Sequence, residues 1–229
     1  MSVFLVLLVL FIFVLPSLGL ERRHLQLYGA VVSSLMLLFG AAIAWRKRAL
    51  FIVALVIIAV TLSLKWAALL VTAPAFGLRS EISALVATLT VVYILLSEVF
   101  ASGPVTSMRI QGAVAVYLLL GLAWSHAYFI VASIVPGSFS LPAHDVSSGI
   151  EWFYYSFVSL TTVGFGDILP THPITRTLTV AEIVTGQLYL AILIGRLVGM
   201  QISSRLNTTH NQTIQIAASP SAEEAQGRE

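Results

Sequence analysis

Cysteine is absent from the 229 residues, which removes disulfides, thiol nucleophiles and thiolate metal sites from consideration. Charge is scarce as well: Asp, Glu, Lys and Arg make up 10% of the chain, against 58% hydrophobic residues. A water-soluble domain of this size needs far more charge on its surface. The formal net charge is only +2 and the basic residues are scattered, so no nucleic-acid partner is expected. His24, His126, His144, His172 and His210 are dispersed, with no His-x-x-x-His pair and no Gly-x-Ser-x-Gly elbow. Intramembrane metal or serine hydrolysis therefore has no motif to rest on, and no enzyme activity is expected. What the chain has in abundance is apolar sequence, with a mean hydropathy of +0.96. It reads as an all-α integral membrane protein.

The apolar stretches divide into six segments of spanning length. Residues 2–20 form the first, about 28 Å long as a helix and close to the thickness of a bilayer core. A secretory leader is the competing reading, but no Lys or Arg precedes the run and Leu18-Gly19-Leu20 lacks a small-x-small cleavage pattern. The second covers about 25–45, and the third about 49–72. The fourth is opened by Arg79 and Glu81 and runs to about 101, and the fifth covers about 109–135. An amphipathic, aromatic-rich stretch at 149–161 is too short to span, and a sixth segment occupies about 174–203. Residues 204–229 are polar and are expected to be a disordered tail. With the N-terminus in the cytoplasm, Arg46, Lys47, Arg48, Arg109 and Arg205 lie inside, whereas Arg22, Arg23, Arg79 and Arg176 lie outside. That modest positive-inside bias places both termini in the cytoplasm of a multi-pass protein of the cell membrane.

Between the short stretch and the sixth segment stands Thr161-Thr162-Val163-Gly164-Phe165-Gly166-Asp167. Glycines alternating with bulky residues permit backbone conformations that side chains forbid. Such a strand can point successive carbonyl oxygens to one side, and several copies around an axis would stack rings of oxygens able to replace the water shell of a cation. Non-helical backbone at membrane depth is tolerated only when buried in protein or lining a water-filled cavity. A single copy offers neither, so the motif implies an oligomer.

This string resembles the selectivity-filter signature of the potassium channels, in the variant with Phe where many members carry Tyr. The resemblance is strong over 109–203 and only topological before that. It implies six membrane helices per protomer, a re-entrant pore helix and filter loop, and a homotetrameric pore in membrane lipid. On it, residues 1–107 are a four-helix, voltage-sensor-like domain, 108–203 the pore domain and 204–229 the tail. Potassium ions would be held by the backbone of Thr162, Val163, Gly164 and Phe165, with Gly166 completing the filter, and no cofactor is needed. Residues 150–161 resemble the pore helix, whose C-terminal dipole end favours a cation. Tyr154 and Tyr155 stand where many members carry a Trp pair, and the resemblance suggests that the Tyr155 hydroxyl bonds Asp167 behind the filter. Val158 stands where some members place a buried acid, which puts inactivation behaviour in doubt. Gly186 matches the hinge glycine of the inner helix, with Gly195 and Gly199 as weaker alternatives. Gln187, Leu190 and Ile194 share a helical face and are expected to line the cavity and gate.

Other residues bear on function through their charge. Voltage-gated members carry a basic residue at every third position of the fourth segment, but this chain has none from Ile82 to Ser97. One elementary charge crossing the field is worth about 2.3 kcal/mol per 100 mV, so Arg79 alone cannot supply a steep response. The expectation is a potassium-selective channel with weak or no voltage dependence; the nearest alternative is a less selective monovalent cation channel. A non-conducting structural subunit would not need the filter string that this chain carries whole. Lys65 and Glu98 are expected to snorkel to opposite interfaces, and His126 to be a satisfied packing residue. Glu182, too deep to face lipid cheaply, is expected to find a structural partner.

Overall fold

The computed structural model describes residues 1–14, 48–70, 74–101, 106–141 and 150–218, together with Val31, Ser34, Leu38 and Gly40. Most of the second expected segment and its flanking charged loops lie outside the described residues.

Helix α1, Ser2–Val9, continues as a π-helical turn over Leu10–Val14. Phe4, Leu8 and Ile12, four residues apart, are all buried along one face. Helices α2 (Arg48–Leu70), α3 (Pro74–Val99) and α4 (Ser107–Ile134) follow. Proline enters this set only as the first residue of α3, where its missing N–H costs no hydrogen bond. Thr106 caps α4, its side chain accepting the Arg109 amide. The helices share one apolar core. Its buried members include Ala54 and Ile58 of α2, Ala87, Val91 and Leu95 of α3, and Val116 and Leu119 of α4. The buried residues of α1 complete the core, and Ser2 Oγ donates to Gln111 Oε1 at 3.1 Å. Thr61 Oγ1 lies 2.8 Å from Ile57 O and 3.1 Å from Ser83 O, tying α2 to α3.

After α4 the chain turns at Gly137, where φ is +77°, and lays down a two-residue strand β1, Phe139–Ser140. Helix α5, Ile150–Leu160, has 11 residues. At 1.5 Å per residue it is about 16 Å long, half the thickness of a bilayer core and too short to cross one. A second short strand β2, Leu169–Pro170, pairs antiparallel with β1. The last helix, α6, runs from Pro173 to Ala218.

Four helical stretches among the described residues are long and apolar enough to cross a membrane: Phe51–Ala68, Gly77–Val99, Ser107–Ile134 and Pro173–Gly199. Ser2–Val14 is a shorter apolar helix. These match the third to sixth expected segments within a few residues. The tail differs from expectation. Residues 204–218, read as disordered from their polarity, continue α6 as helix. The physical reason is propagation: neither Gly nor Pro occurs between Met200 and Ala218, so an existing helix extends at little cost per residue.

Candidate functional site

Helix α5 delivers the chain to the glycine motif, and its end sets the local geometry. The Thr162 amide donates to Ser159 O at 2.9 Å, and the Val163 amide to Val158 O at 3.0 Å. Val158, the position without an acid, thus contributes its carbonyl. Beyond it the backbone alternates: φ is +62° at Thr162, +58° at Gly164 and +80° at Gly166, but not positive at Val163 or Phe165. Thr162 is the one non-glycine residue with positive φ among the described residues. A threonine pays sterically for that conformation, which glycine adopts freely. Left-handed residues at every second position turn successive carbonyl groups toward the same side, whereas a β-strand alternates them.

Residues 161–167 are all exposed on the protomer. Val163 and Phe165 keep 55% and 69% of their surface, a costly arrangement for such side chains unless something covers them. The Phe165 ring stacks on Tyr154, with centroids 6.3 Å apart and planes 4° from parallel. Asp167 accepts from the Ile168 amide at 3.1 Å.

The expected hydrogen bond from Tyr155 to Asp167 is not formed. The Tyr155 hydroxyl pairs instead with Thr179 Oγ1 of α6 at 2.7 Å, and Thr179 donates to Thr175 O. Tyr154 is the tyrosine that meets the Asp167 carboxylate. Successive helical residues differ by about 100° in direction, so only one of two adjacent tyrosines can face the filter. Tyr155 faces the other way, into a buried aromatic group. Its ring centroid is 4.9 Å from that of Tyr128 and 5.3 Å from that of Phe139, both edge to face. Trp152 adds a fourth ring, 4.8 Å from Phe139. Edge-to-face pairs of this kind contribute about 0.5–1.5 kcal/mol each beyond their buried area.

Glu182 of α6, between α4 and α5, is fully buried. Tyr128 O–H of α4 donates to its Oε2 at 2.5 Å, and its Oε1 lies 2.5 Å from Ser156 Oγ of α5. The structural partner expected from the sequence is therefore a pair of hydroxyls on two other helices. Gly186, one turn further along α6, is buried against the end of α5. A Cβ there would stand 2.8 Å from Leu160 O and 2.8 Å from Leu160 Cδ1. Close approach of two helices thus requires glycine at this position, whatever hinge it also provides.

Gln187 and Ile194 are exposed on the open side of α6, and Leu190 is half-buried. The opposite side of the helix is fastened by Tyr189, whose hydroxyl donates to Ala113 O at 2.7 Å and whose ring stacks on Tyr117. Arg196 escaped the sequence reading, although a cation inside an apolar helix was the available signal. Its Nη2 donates to Ala101 O at 3.0 Å, and its guanidinium lies 4.6 Å from the Phe100 ring centroid, joining α6 to the end of α3. His126 is satisfied, as expected, but by a charged group: its Nδ1 is 2.6 Å from Glu81 Oε2 on α3. Lys65 of α2 also acts electrostatically on Glu81.

No group of three or more His, Cys, Asp or Glu side chains placed to hold a metal ion occurs among the described residues.

Comparison with known proteins agrees with this geometry. Residues 116–201 match the family described as Ion channel, a span from mid-α4 through the glycine motif into α6. The chain is 36% identical over 72 residues to "Two-pore potassium channel 4" of Arabidopsis thaliana, covering 28% of this chain and 25% of that protein. It is 28% identical over 79 residues to "Potassium channel K2" of Plasmodium berghei (strain Anka), covering 33% of this chain and 5% of that one. The matches thus span a quarter or less of these relatives' own length. Each is named as a channel rather than an enzyme. No solved structure matches.

Proposed function

We propose that this chain is the protomer of a homotetrameric, potassium-selective channel that conducts passively, a reading supported by the Ion channel match over residues 116–201 and by the similarity to two proteins named as potassium channels. Its first 107 residues form a voltage-sensor-like domain without gating charges, and residues 108–203 form the pore domain. Both termini lie in the cytoplasm, in the reading that best fits the loop charges.

The observation that carries this reading is the alternating positive φ at Thr162, Gly164 and Gly166 on an exposed loop. Carbonyl groups aimed to one side have no backbone donor to meet, because a neighbouring strand would need them to alternate. A desolvated cation on an axis shared by several copies is the partner that suits them. Thr162, Val163, Gly164 and Phe165 would hold potassium and Gly166 would complete the filter. Tyr154 and Asp167 support it from one side, and Tyr155 braces the pore helix from the other. Gly186 is kept as the candidate hinge, and Gln187, Leu190 and Ile194 as cavity and gate lining. Potassium here is the transported ion, not a resident cofactor.

The test is the reversal potential of the purified protein in planar bilayers with potassium on one side and sodium on the other. A shift close to the potassium equilibrium potential is expected, with an open probability that changes little with voltage. Conduction without a shift would make it a less selective monovalent cation channel. A steeply voltage-dependent open probability would contradict the reading of α3, which lacks Lys and Arg from Ile82 to Ser97.

A further inference from the structure

Glu182 does more than fill space, and counting protons at its carboxyl group indicates how. Three short oxygen-to-oxygen contacts meet there. Tyr128 Oη is 2.5 Å from Glu182 Oε2, Ser156 Oγ is 2.5 Å from Glu182 Oε1, and Ser156 Oγ is 2.7 Å from Gly121 O. Each contact needs one hydrogen between its oxygens. Tyr128 supplies one and Ser156 supplies one, whereas the Gly121 carbonyl supplies none. With an ionised Glu182 the count is one short, and two oxygens would face each other bare. With a neutral carboxylic acid the count closes. Oε1–H donates to Ser156 Oγ, Ser156 O–H donates to Gly121 O, and Tyr128 O–H donates to Oε2.

The surroundings agree with that count. The titratable groups facing the carboxyl are Tyr117 and Tyr128 from α4 and Tyr155 from α5, all phenols. No Lys, Arg or His is among its recorded partners. A fully buried carboxylate without a cation would be expensive, whereas a neutral acid with every hydrogen bond made is not.

We propose that Glu182 is held as the neutral acid and is a positioning residue for the filter, relaying one continuous hydrogen-bond chain from Tyr128 on α4 through Ser156 on α5 to Gly121. Ser156 lies six residues before Thr162 on the helix that aims the filter, so this chain fixes the roll of α5 about its axis. The inference rests on the channel reading only for its effect on conduction, not for the proton.

Infrared spectroscopy of the purified full-length protein in lipid at neutral pH tests the proton. The carbonyl stretch of a protonated carboxylic acid is expected in the wild type. It should vanish in Glu182→Gln and move to higher frequency in Tyr128→Phe, where Oε2 loses its donor. Absence of the band in the wild type, or a band that neither substitution alters, would overturn the assignment. If Glu182→Gln does not assemble, the Tyr128→Phe shift alone decides. The positioning role is read from reversal potential. Glu182→Gln should keep the wild-type value, since an amide gives Ser156 a donor and Tyr128 an acceptor. Glu182→Leu should move it toward the unselective value, with Ser156→Ala in its place if the leucine variant does not assemble. Equal behaviour of the amide and apolar variants would sink the positioning role. A wild type that does not conduct would count against the channel reading alone, because the infrared result stands without current.

Discussion

Gly186 is a position where the family resemblance suggested one property and the packing supplies another. As a hinge it would be valued for flexibility, but its α-carbon also lies against the last carbonyl of α5, leaving no room for a methyl group. Gly186→Ala should therefore push α5 and α6 apart and lower stability by about 1–3 kcal/mol, the usual range for overpacking. Thermal unfolding in detergent measures this, and a variant that melts like the wild type while opening less would return the residue to a pure hinge. The unusual backbone of the glycine motif was legible because its information is local: seven consecutive residues carry it. Glu182 was legible only as a residue in need of a partner, since Tyr128 and Ser156 lie 54 and 26 positions away. The two adjacent tyrosines were ambiguous for a different reason. The resemblance put both at the Trp-pair positions and assigned the Asp167 contact to Tyr155, but the rotation of α5 decides that Tyr154 meets Asp167 and Tyr155 meets Thr179.

Helices were easier to read than the contacts between them. Apolar length marked the spanning stretches of α2, α3, α4 and α6 within a few residues, because burial in lipid imposes nearly the same length on each. What apolar length cannot reveal is which polar residue on one helix meets which on another. The pair formed by His126 and Glu81 joins α4 to α3, and it was invisible because two lone charged or polar residues 45 positions apart have no shared pattern. Their side chains keep 17% and 25% of their exposure, so the cost of breaking the pair is discounted from the 3–5 kcal/mol typical of fully buried pairs. His126→Ala is expected to destabilise by about 1–3 kcal/mol by leaving Glu81 without this partner. In a double-mutant cycle with Glu81→Ala, the second substitution should cost much less than it does alone. Strictly additive losses would mean that the contact contributes nothing of its own. Arg196 makes the corresponding join at the other end of α3, through Ala101 and Phe100. Helix α3 is thus tied to α6 as well as to α4.

The whole protomer is asymmetric in how it is covered. Half of the Ser107–Ile134 stretch is buried within the chain, but only 11% of Pro173–Gly199 is. Val180, Val184, Leu188 and Ile192, each four residues from the next, leave about half or more of their surface open along one stripe of α6. The glycine motif, residues 161–167, is exposed as well. A fourfold assembly about the filter axis would cover both, and the expected particle in detergent has a protein mass four times the 24.7 kDa chain. Light scattering with correction for bound detergent measures it; a monomer or dimer that still selects potassium would refute the proposed architecture. For the bare α6 stripe, the consequence reaches into biogenesis. A newly inserted subunit would leave this stripe of α6 open, so joining its siblings would be the last folding step rather than an event after folding. Its lifetime in the cell would then depend on how many siblings share the membrane, and orphans would present a recognisable unfinished surface to quality control.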